Sequence, residues 1–175
     1  MGRPVLFLDV DGVLNPFGPV CPPGFAEHDL FPGEEPVRVN PEHGTWITEL
    51  LAAFDIVWAT FWNGDANRLL VPLLHIDPLP VLTMPLGPSP PSAKVPLIAS
   101  CAGKRPAAWI DDAHTPEARA WSQHTTGPFD MRVFPGDHFY LTQHQDKLLD
   151  LLKMRLRPFT SGLRAGAARL LDDAG

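Results

Sequence analysis

Four carboxylates and one lysine stand at positions in this sequence from which they could act together. Asp9 and Asp11 follow one short apolar segment, Asp111 and Asp112 follow another, and Lys94 precedes the second segment. Side chains at positions i and i+2 of an extended backbone point to the same side, so Asp9 and Asp11 can share one site. If both apolar segments are neighbouring strands, three or four negative charges crowd into one pocket.

This crowding predicts what the carboxylates bind. Two like charges about 4 Å apart repel by about 4 kcal/mol at an effective dielectric of 20. Protonation would relieve the repulsion, but a divalent cation together with the ammonium of Lys94 relieves it while the carboxyls stay ionised. Oxygen ligands without Cys or His nearby favour Mg²⁺ over zinc or copper. We therefore expect Mg²⁺ at this site.

Each feature also has a purely structural interpretation. Asp-x-Asp-Gly is a common turn sequence, in which Gly12 lets the backbone turn tightly and approach a neighbouring group. Thr60 can simply end a strand, and Lys94 can be a solvated lysine in the first turn of a helix. Their joint occurrence at one edge of a predicted sheet favours a functional site.

Short apolar segments that alternate with amphipathic ones predict the elements that position these residues. Most of the apolar segments lack polar alternation, as is typical of strands in a parallel sheet covered on both faces. Strands are predicted at residues 4–8, 56–59, 80–82, 107–110 and 131–134. Helices are predicted after Asn40-Pro41, after Asn63 with a kink or division at Pro72, at residues 94–102, after Thr115, and from Thr142 to about Met154.

This alternation predicts a three-layer α/β/α, Rossmann-like fold with a five-stranded, mainly parallel sheet. Ligands of such sheets bind beyond the carboxyl ends of the strands, which is where the unusual polar residues fall.

Four motifs resemble the haloacid dehalogenase (HAD) superfamily, whose members are mostly Mg²⁺-dependent phosphatases. They are the apolar strand with Asp-x-Asp in residues 7–14, Thr60 after the second strand, Lys94 at a helix start, and Asp111-Asp112. Residues 9–16, 58–62, 66–70 and 109–112 are more narrowly similar to the HAD domain of the "Swiss Army Knife" RNA-repair proteins.

The resemblance implies a role for each site residue. Asp9 would attack phosphorus to form an aspartyl-phosphate, and Asp11 would protonate the leaving alcohol and then activate water. Thr60, the amide of Phe61 and Lys94 would bind the phosphate oxygens.

The resemblance also implies a metal-binding set. Mg²⁺ would be held by Asp9, the backbone carbonyl of Asp11, and either Asp111 or Asp112. The sequence leaves open which of the last two touches the metal directly.

The implied function is a Mg²⁺-dependent phosphoric monoester hydrolase. No separate cap domain fits between the motifs, so the site is predicted to be open and to accept bulky phosphorylated substrates such as RNA or DNA ends or phosphoproteins. A formal charge of −6 weakens the nucleic-acid option, because phosphate backbones attract Lys and Arg. The alternatives are a catalytically idle HAD-like binding module and a phosphoacceptor signalling domain.

The 175 residues suffice for one ordinary domain. We expect a single domain at residues 1–157, with a Pro- and Gly-rich flap or loop at 16–39, and a tail at 158–175 with a short amphipathic pattern. Two distant cysteines favour a reduced compartment, and no apolar run of about 18 residues exists, so a cytoplasmic protein without membrane contact is predicted. The sequence does not fix an oligomeric state.

Overall fold

The computed structural model describes residues 2–112, together with Asp150 and Met154. The elements follow in the order β1 (Val5–Leu8), β2 (Ala26–His28), β3 (Val37–Val39), α1 (Glu42–Leu51), β4 (Asp55–Trp58), a π-helical segment (Ala66–Leu70), α2 (Val71–Leu74), a 3₁₀ turn (Pro91–Ala93), α3 (Lys94–Ala102) and β5 (Ala107–Ile110).

A parallel sheet with β1 in its centre organises the described chain. The strand order is β4–β1–β5, and both pairings of β1 are parallel. Leu8, at the end of β1, lies opposite Trp58 on one side and Ile110 on the other. All four residues of β1 are buried, as expected for a central strand covered on both faces. The predicted α/β class with a parallel sheet is confirmed.

Alternate residues of β1 contribute to two separate cores. Leu6 and Leu8 belong to a cluster that contains Ile47 and Leu50 of α1. Val5 and Phe7 belong to a second cluster with residues of α3. Because side chains alternate across a strand, α1 and α3 cover opposite faces of the sheet, which gives a helix–sheet–helix layering.

The predicted strands differ from the observed ones mainly around residues 80–82. In that segment only Val81 pairs with the sheet, by an isolated parallel bridge to Trp58. Pro80 has no N–H group to donate, so it cannot extend the ladder. The predicted strand at 131–134 lies outside the described residues. In the described part of the chain the sheet therefore has three strands rather than five.

Proline divides the second helical region, as predicted. The π-helical segment ends at Leu70, and Pro72 lies in the first turn of α2, a position at which proline is well tolerated. Asn63, after which this helix was predicted to begin, does not cap it with its side chain. Asn63 has a φ of 49°, and its side-chain oxygen accepts a hydrogen bond from the Met84 amide at 2.7 Å.

The third predicted helix is confirmed at the predicted bounds. Helix α3 ends before Gly103, whose φ of 59° is a backbone conformation that ends a helix. The helices predicted after Thr115 and Thr142 lie outside the described residues, except for helical Asp150 and Met154.

Residues 16–39 contain an antiparallel hairpin in which β2 pairs with β3, with Ala26 opposite Val39. The division into a domain at 1–157 and a tail at 158–175 stays a prediction. Within the described segments, no helix has the length and apolarity that crossing a bilayer requires.

Candidate functional site

The carboxyl ends of the three parallel strands bring polar side chains to one edge of the sheet. Asp9 directly follows β1, Asp111 directly follows β5, and Thr60 lies just beyond β4. The Asp9 amide donates a hydrogen bond to the Ile110 carbonyl at 3.0 Å, which continues the β1–β5 ladder past the last paired residues. The site is thus positioned by the ends of paired, parallel strands.

Lys94 connects two of these carboxylates. Its Nζ lies 2.5 Å from Oδ2 of Asp9 and 2.6 Å from Oδ2 of Asp111. All three residues are buried, and Lys94 is only 2% exposed. Since two carboxylates share one ammonium, the cluster keeps a net negative charge when both are ionised. We call these three residues the carboxylate–lysine cluster.

Burial and charge shift the pKa values within this cluster. Burial raises the pKa of Asp9 to about 7, and repulsion from Asp111 adds to this effect against the opposing attraction of Lys94. Burial lowers the pKa of Lys94, but the Asp9 and Asp111 carboxylates outweigh this, so the pKa of Lys94 is raised above its usual value. Lys94 therefore stays charged while Asp9 can exchange a proton near neutral pH.

Asp112 lies at the rim of the cluster and is exposed. Asp9, Asp111 and Asp112 offer carboxylate oxygens within 4.8 Å of one another, so they are the residues that could share a cation. Gly12 makes this arrangement possible, because a Cβ at that position would lie 2.1 Å from Oδ2 of Asp112. The predicted Mg²⁺ stays a prediction.

The side chain of Asp11 is engaged elsewhere. Its Oδ1 accepts a hydrogen bond from Nδ2 of Asn15 at 2.9 Å, and its Oδ2 accepts one from Nε1 of Trp62 at 2.8 Å. The structure does not bring this carboxylate into the group of Asp9, Asp111 and Asp112. The hydrogen bonds by which Asn15 and Trp62 orient Asp11 were not predicted from the sequence. Only Asn15 had a local signal, because it follows Asp11 by four residues in the same turn.

Thr60 and Phe61 lie on the β4 side of the cluster. Thr60 is buried, and its Oγ1 accepts a hydrogen bond from the Trp62 amide at 3.3 Å. The Phe61 ring lies over Nζ of Lys94, 5.2 Å from the ring centroid, which adds a cation–π contact to the two ion pairs. Their predicted role in phosphate binding stays a prediction.

Comparison with known proteins decides the family. A family model described as "Thioesterase domain" matches residues 69–156, just over half of the chain. The chain belongs to the thioesterase domain family. Lys94, Asp111 and Asp112 fall within the matched region of this thioesterase domain, whereas Asp9, Asp11 and Thr60 precede it.

Individual curated relatives match shorter stretches of this chain than the family model does. A "probable cadicidin biosynthesis thioesterase" from Streptomyces griseus is 52% identical over 42 residues, which are 24% of this chain and 12% of that protein. Thioesterase TesA from Mycobacterium leprae (strain TN) is 46% identical over 41 residues, or 23% of this chain and 15% of that protein. Linear gramicidin dehydrogenase LgrE from Brevibacillus parabrevis is 35% identical over 57 residues, or 32% of this chain and 22% of that protein.

These matches span at most about a fifth of each curated relative. No solved structure matches the chain.

The predicted HAD membership, including the "Swiss Army Knife" branch, is wrong, and so is the predicted Mg²⁺-dependent phosphatase with an aspartyl-phosphate intermediate. The thioesterase family model and the thioesterase-named relatives overturn both. The physical reason is that a strand-end carboxylate beside a buried ammonium can activate water and stabilise an oxyanion in acyl transfer as well as in phosphoryl transfer. Of the predicted enzyme class, hydrolase agrees with the family and phosphoric monoester hydrolase does not.

Proposed function

We propose that this chain hydrolyses acyl thioesters. The observation that carries the proposal is the thioesterase family model, which covers just over half of the chain. Two relatives have the word thioesterase in their names, which supports the same reaction type. The names of two relatives also refer to cadicidin biosynthesis and to linear gramicidin, so thioesters of biosynthetic acyl groups are the first substrates to test.

The chain's own residues suggest where the reaction occurs. Serine hydrolases of the α/β class place their nucleophile in a Gly-x-Ser-x-Gly turn, and the 175 residues contain no such sequence. The carboxylate–lysine cluster supplies instead a buried carboxyl that can exchange a proton near neutral pH and an ammonium beside it. We therefore place the reaction at Asp9 and Lys94.

In the proposed reaction, Asp9 acts as a general base. Its carboxylate takes a proton from a water molecule as the water oxygen attacks the thioester carbonyl carbon. The carbonyl π electrons move to oxygen and form a tetrahedral oxyanion. When the oxyanion collapses, the C–S bond breaks and the proton returns from Asp9 to the leaving thiolate. The products are a carboxylic acid and a thiol, and Asp9 is ionised again.

Lys94 stabilises the negative charge that develops in this reaction. Its ammonium lies in contact with Asp9 and is held there by Asp111, so no rearrangement is needed when the oxyanion forms. The Phe61 ring lies 5.2 Å from Nζ at its centroid, and this cation–π contact helps to hold the ammonium in place. Asp111 thus acts as a positioning residue through Lys94.

The finer architecture is also part of the proposal. Residues 131–134 would add a strand to the described sheet and, with residues 80–82, complete five strands. The proposed arrangement would include no separate cap domain, and the proposed substrate would reach the cluster from the open edge of the sheet. An experimental structure of the full chain tests this arrangement directly.

The reaction is tested by thiol release from S-acyl pantetheine thioesters of different acyl length. We expect Asp9→Asn to lower kcat by at least about 100-fold, because the amide cannot accept the proton. The matched control is Asp29→Asn, which removes an exposed carboxylate of the hairpin and should leave kcat unchanged.

Three outcomes would overturn parts of this proposal. Equal turnover by Asp9→Asn and the parent removes Asp9 from the reaction. If substitution of a histidine in the region matched by the family model abolishes turnover and Asp9→Asn does not, that histidine is the general base instead. The histidines of this region are His75, His114, His124, His138 and His144. Turnover of an aryl phosphate with Mg²⁺ in place of any thioester rejects the thioesterase reaction itself.

A further inference from the structure

A pocket of about 150 Å³ lies between the turn that follows β1 and the β2–β3 hairpin. Two of its lining residues, Asp11 and Trp62, follow Asp9 and Phe61 of the candidate site by two residues and by one residue. Asp11 and Asn15 line it from the turn, and Phe31, Glu34 and Glu35 line it from the hairpin. Trp62 closes the side towards β4. We call this space the aromatic pocket. None of the reaction steps described above uses it.

Two perpendicular rings form one corner of the aromatic pocket. The centroids of Phe31 and Trp62 lie 4.9 Å apart, with an angle of 88° between the ring planes. In such an edge-to-face pair, each ring keeps at least one face that the other ring does not cover. The hydrogen bond from Nε1 of Trp62 to Asp11 fixes the orientation of the indole. Phe17, which is 40% exposed, adds a third ring to the lining.

The charges around the aromatic pocket are predominantly negative. Asp11, Glu34 and Glu35 contribute carboxylates, and Arg38 is the sole cation among the described lining residues. The Arg38 guanidinium is already engaged, because Nε lies 3.0 Å from a Glu27 oxygen and Nη1 donates to the Gly18 carbonyl at 2.6 Å. The two donors that hold Asp11, Asn15 and Trp62, are uncharged.

Aromatic faces combined with carboxylates select an organic cation. The ring faces attract positive charge through their quadrupoles, and the carboxylates repel anions. A neutral aromatic ligand would gain binding free energy from contact with the rings, but no electrostatic attraction from Glu34 and Glu35. An anionic ligand would meet three carboxylates and no unengaged cation among the lining residues described.

We propose that the aromatic pocket binds an organic ammonium group. In the thioesterase reaction, and resting on that proposed function, this group is the amino group of the acyl part of the substrate. The substrate class is then an aminoacyl thioester, whose ammonium docks against Phe31 and Trp62 while its thioester carbonyl reaches the carboxylate–lysine cluster.

The binding step is tested by calorimetry on the full chain with two probes of nearly equal shape. Choline carries the charge, and 3,3-dimethyl-1-butanol is its neutral isostere. We expect choline to bind at least about 10-fold more tightly than the isostere, and its affinity to fall as the salt concentration rises. Equal affinity for the two probes, or no heat from either at millimolar concentration, overturns the proposal.

Three variants assign the binding to this pocket. Phe31→Leu keeps an apolar wall but removes one π face, and should weaken choline binding by about 5-fold. Glu34→Gln with Glu35→Gln should weaken it by a similar factor, and both positions are exposed, so folding is not at risk. Glu49→Gln, an exposed change on α1 away from the pocket, is the matched control and should have no effect. If the Phe31 and glutamate variants both bind choline like the parent, the pocket is not the binding site.

The substrate class is tested separately by kcat/KM for thioesters of 4-aminobutanoate and of pentanoate. The aminoacyl thioester should be preferred by at least about 10-fold, and the Glu34 and Glu35 variants should abolish this preference. The control Glu49→Gln should keep both the preference and the kcat for the pentanoate thioester. Choline binding without any thioester turnover keeps the pocket and rejects the thioesterase function. Turnover without this preference keeps the function and rejects the aminoacyl substrate.

Discussion

Gly12 occupies a position that a larger residue would disturb in two ways. Its φ is 69°, and a Cβ would lie 2.1 Å from Oδ2 and 2.7 Å from Cβ of Asp112. We expect Gly12→Ala to lose about 1 kcal/mol from the left-handed backbone, and about 1–3 kcal/mol more because Asp112 must move. Urea unfolding measures both losses together.

The matched control for this prediction is Gly87→Ala. Gly87 also has a positive φ, of 91°, but nothing lies within 4 Å of its Cβ position. It should show only the backbone loss of about 1 kcal/mol. Equal losses in the two variants would mean that the close approach of Asp112 to Gly12 does not contribute to stability.

At the scale of single residues, the sequence predicted the carboxylates better than their partners. Asp9, Lys94 and Asp111 come together as expected, because the carboxyl ends of parallel strands share an edge. The contact of Trp62 with Asp11 could not be predicted, since it joins residues 51 apart and depends on how the segment after β4 packs. Local spacing contains no information about such a hydrogen bond.

Helices α1 and α2 approach so closely at Gly44 that no side chain fits there. A Cβ would lie 1.9 Å from the carbonyl oxygen of Leu74, a backbone atom that cannot rotate away. We expect Gly44→Ala to lower the free energy of unfolding by about 2–3 kcal/mol, because α1 must shift from α2.

Gly64→Ala is the control for the α1–α2 contact, since nothing lies within 4 Å of its Cβ position. It should change stability by less than about 0.5 kcal/mol. Chemical denaturation under the same conditions measures the free energy of unfolding of both variants. A neutral Gly44→Ala would show that the two helices are not held at this distance.

His43, in the first turn of α1, should make folding sensitive to acid. Its ring stacks on Trp46 and meets Phe25 edge to face, and burial lowers the pKa of His43 to about 4. The unfolded chain binds a proton near the ordinary pKa of 6.5, whereas the folded chain does not until about pH 4. The contribution of neutral His43 to the free energy of unfolding is therefore complete above pH 6.5. It falls by about 3 kcal/mol as the pH decreases to 4.

The measurement for His43 is the free energy of unfolding at several pH values. His43→Phe keeps an aromatic ring between Phe25 and Trp46 without the titration, so it should be less sensitive to acid than the parent. His75→Asn removes an exposed histidine and should keep the parental acid sensitivity. Identical pH profiles for His43→Phe and the parent would contradict the assignment.

The bounds of helices and strands could be predicted from the sequence where a single local residue or segment determines them. The end of α3 was predicted because Gly103 stops the helix, and β5 was predicted as a continuous apolar segment. Residues 80–82 looked equally strand-like, but whether an edge segment pairs fully depends on tertiary neighbours and on Pro80. The left-handed Asn63 was missed for a related reason, because its partner is Met84 in a later loop.

The predicted Mg²⁺ is testable on the whole molecule. An ion that binds only the folded chain raises the free energy of unfolding by mass action. We expect about 10 mM MgCl₂ to raise the Tm above that in NaCl of equal ionic strength. Asp112→Asn should reduce this shift, because it removes one of three converging carboxylates, whereas Asp77→Asn, an exposed change elsewhere, should not. A Tm that does not respond to Mg²⁺ would contradict the prediction.

For the whole molecule, the layered α/β fold was accessible from the sequence and the reaction was not. Alternation of apolar and amphipathic segments determines which faces are buried, and this is enough to predict parallel strands between helices. In the proposed reaction, the choice between phosphoryl and acyl transfer depends on which electrophile fits beside Asp9 and Lys94. Short motifs such as Asp-x-Asp-Gly do not specify that fit, so the family had to come from comparison over a longer stretch.

The central position of β1 has a practical consequence for immobilising this protein on a solid support. The chain enters the sheet at Val5, and Asp9 lies past the opposite end of the strand, about 13 Å further along at 3.3 Å per residue. A linker joined ahead of Gly2 therefore leaves from the rim remote from the carboxylate–lysine cluster. Protein tethered to a bead or sensor chip through this end should present the edge with Asp9, Lys94 and Asp111 away from the surface of the support.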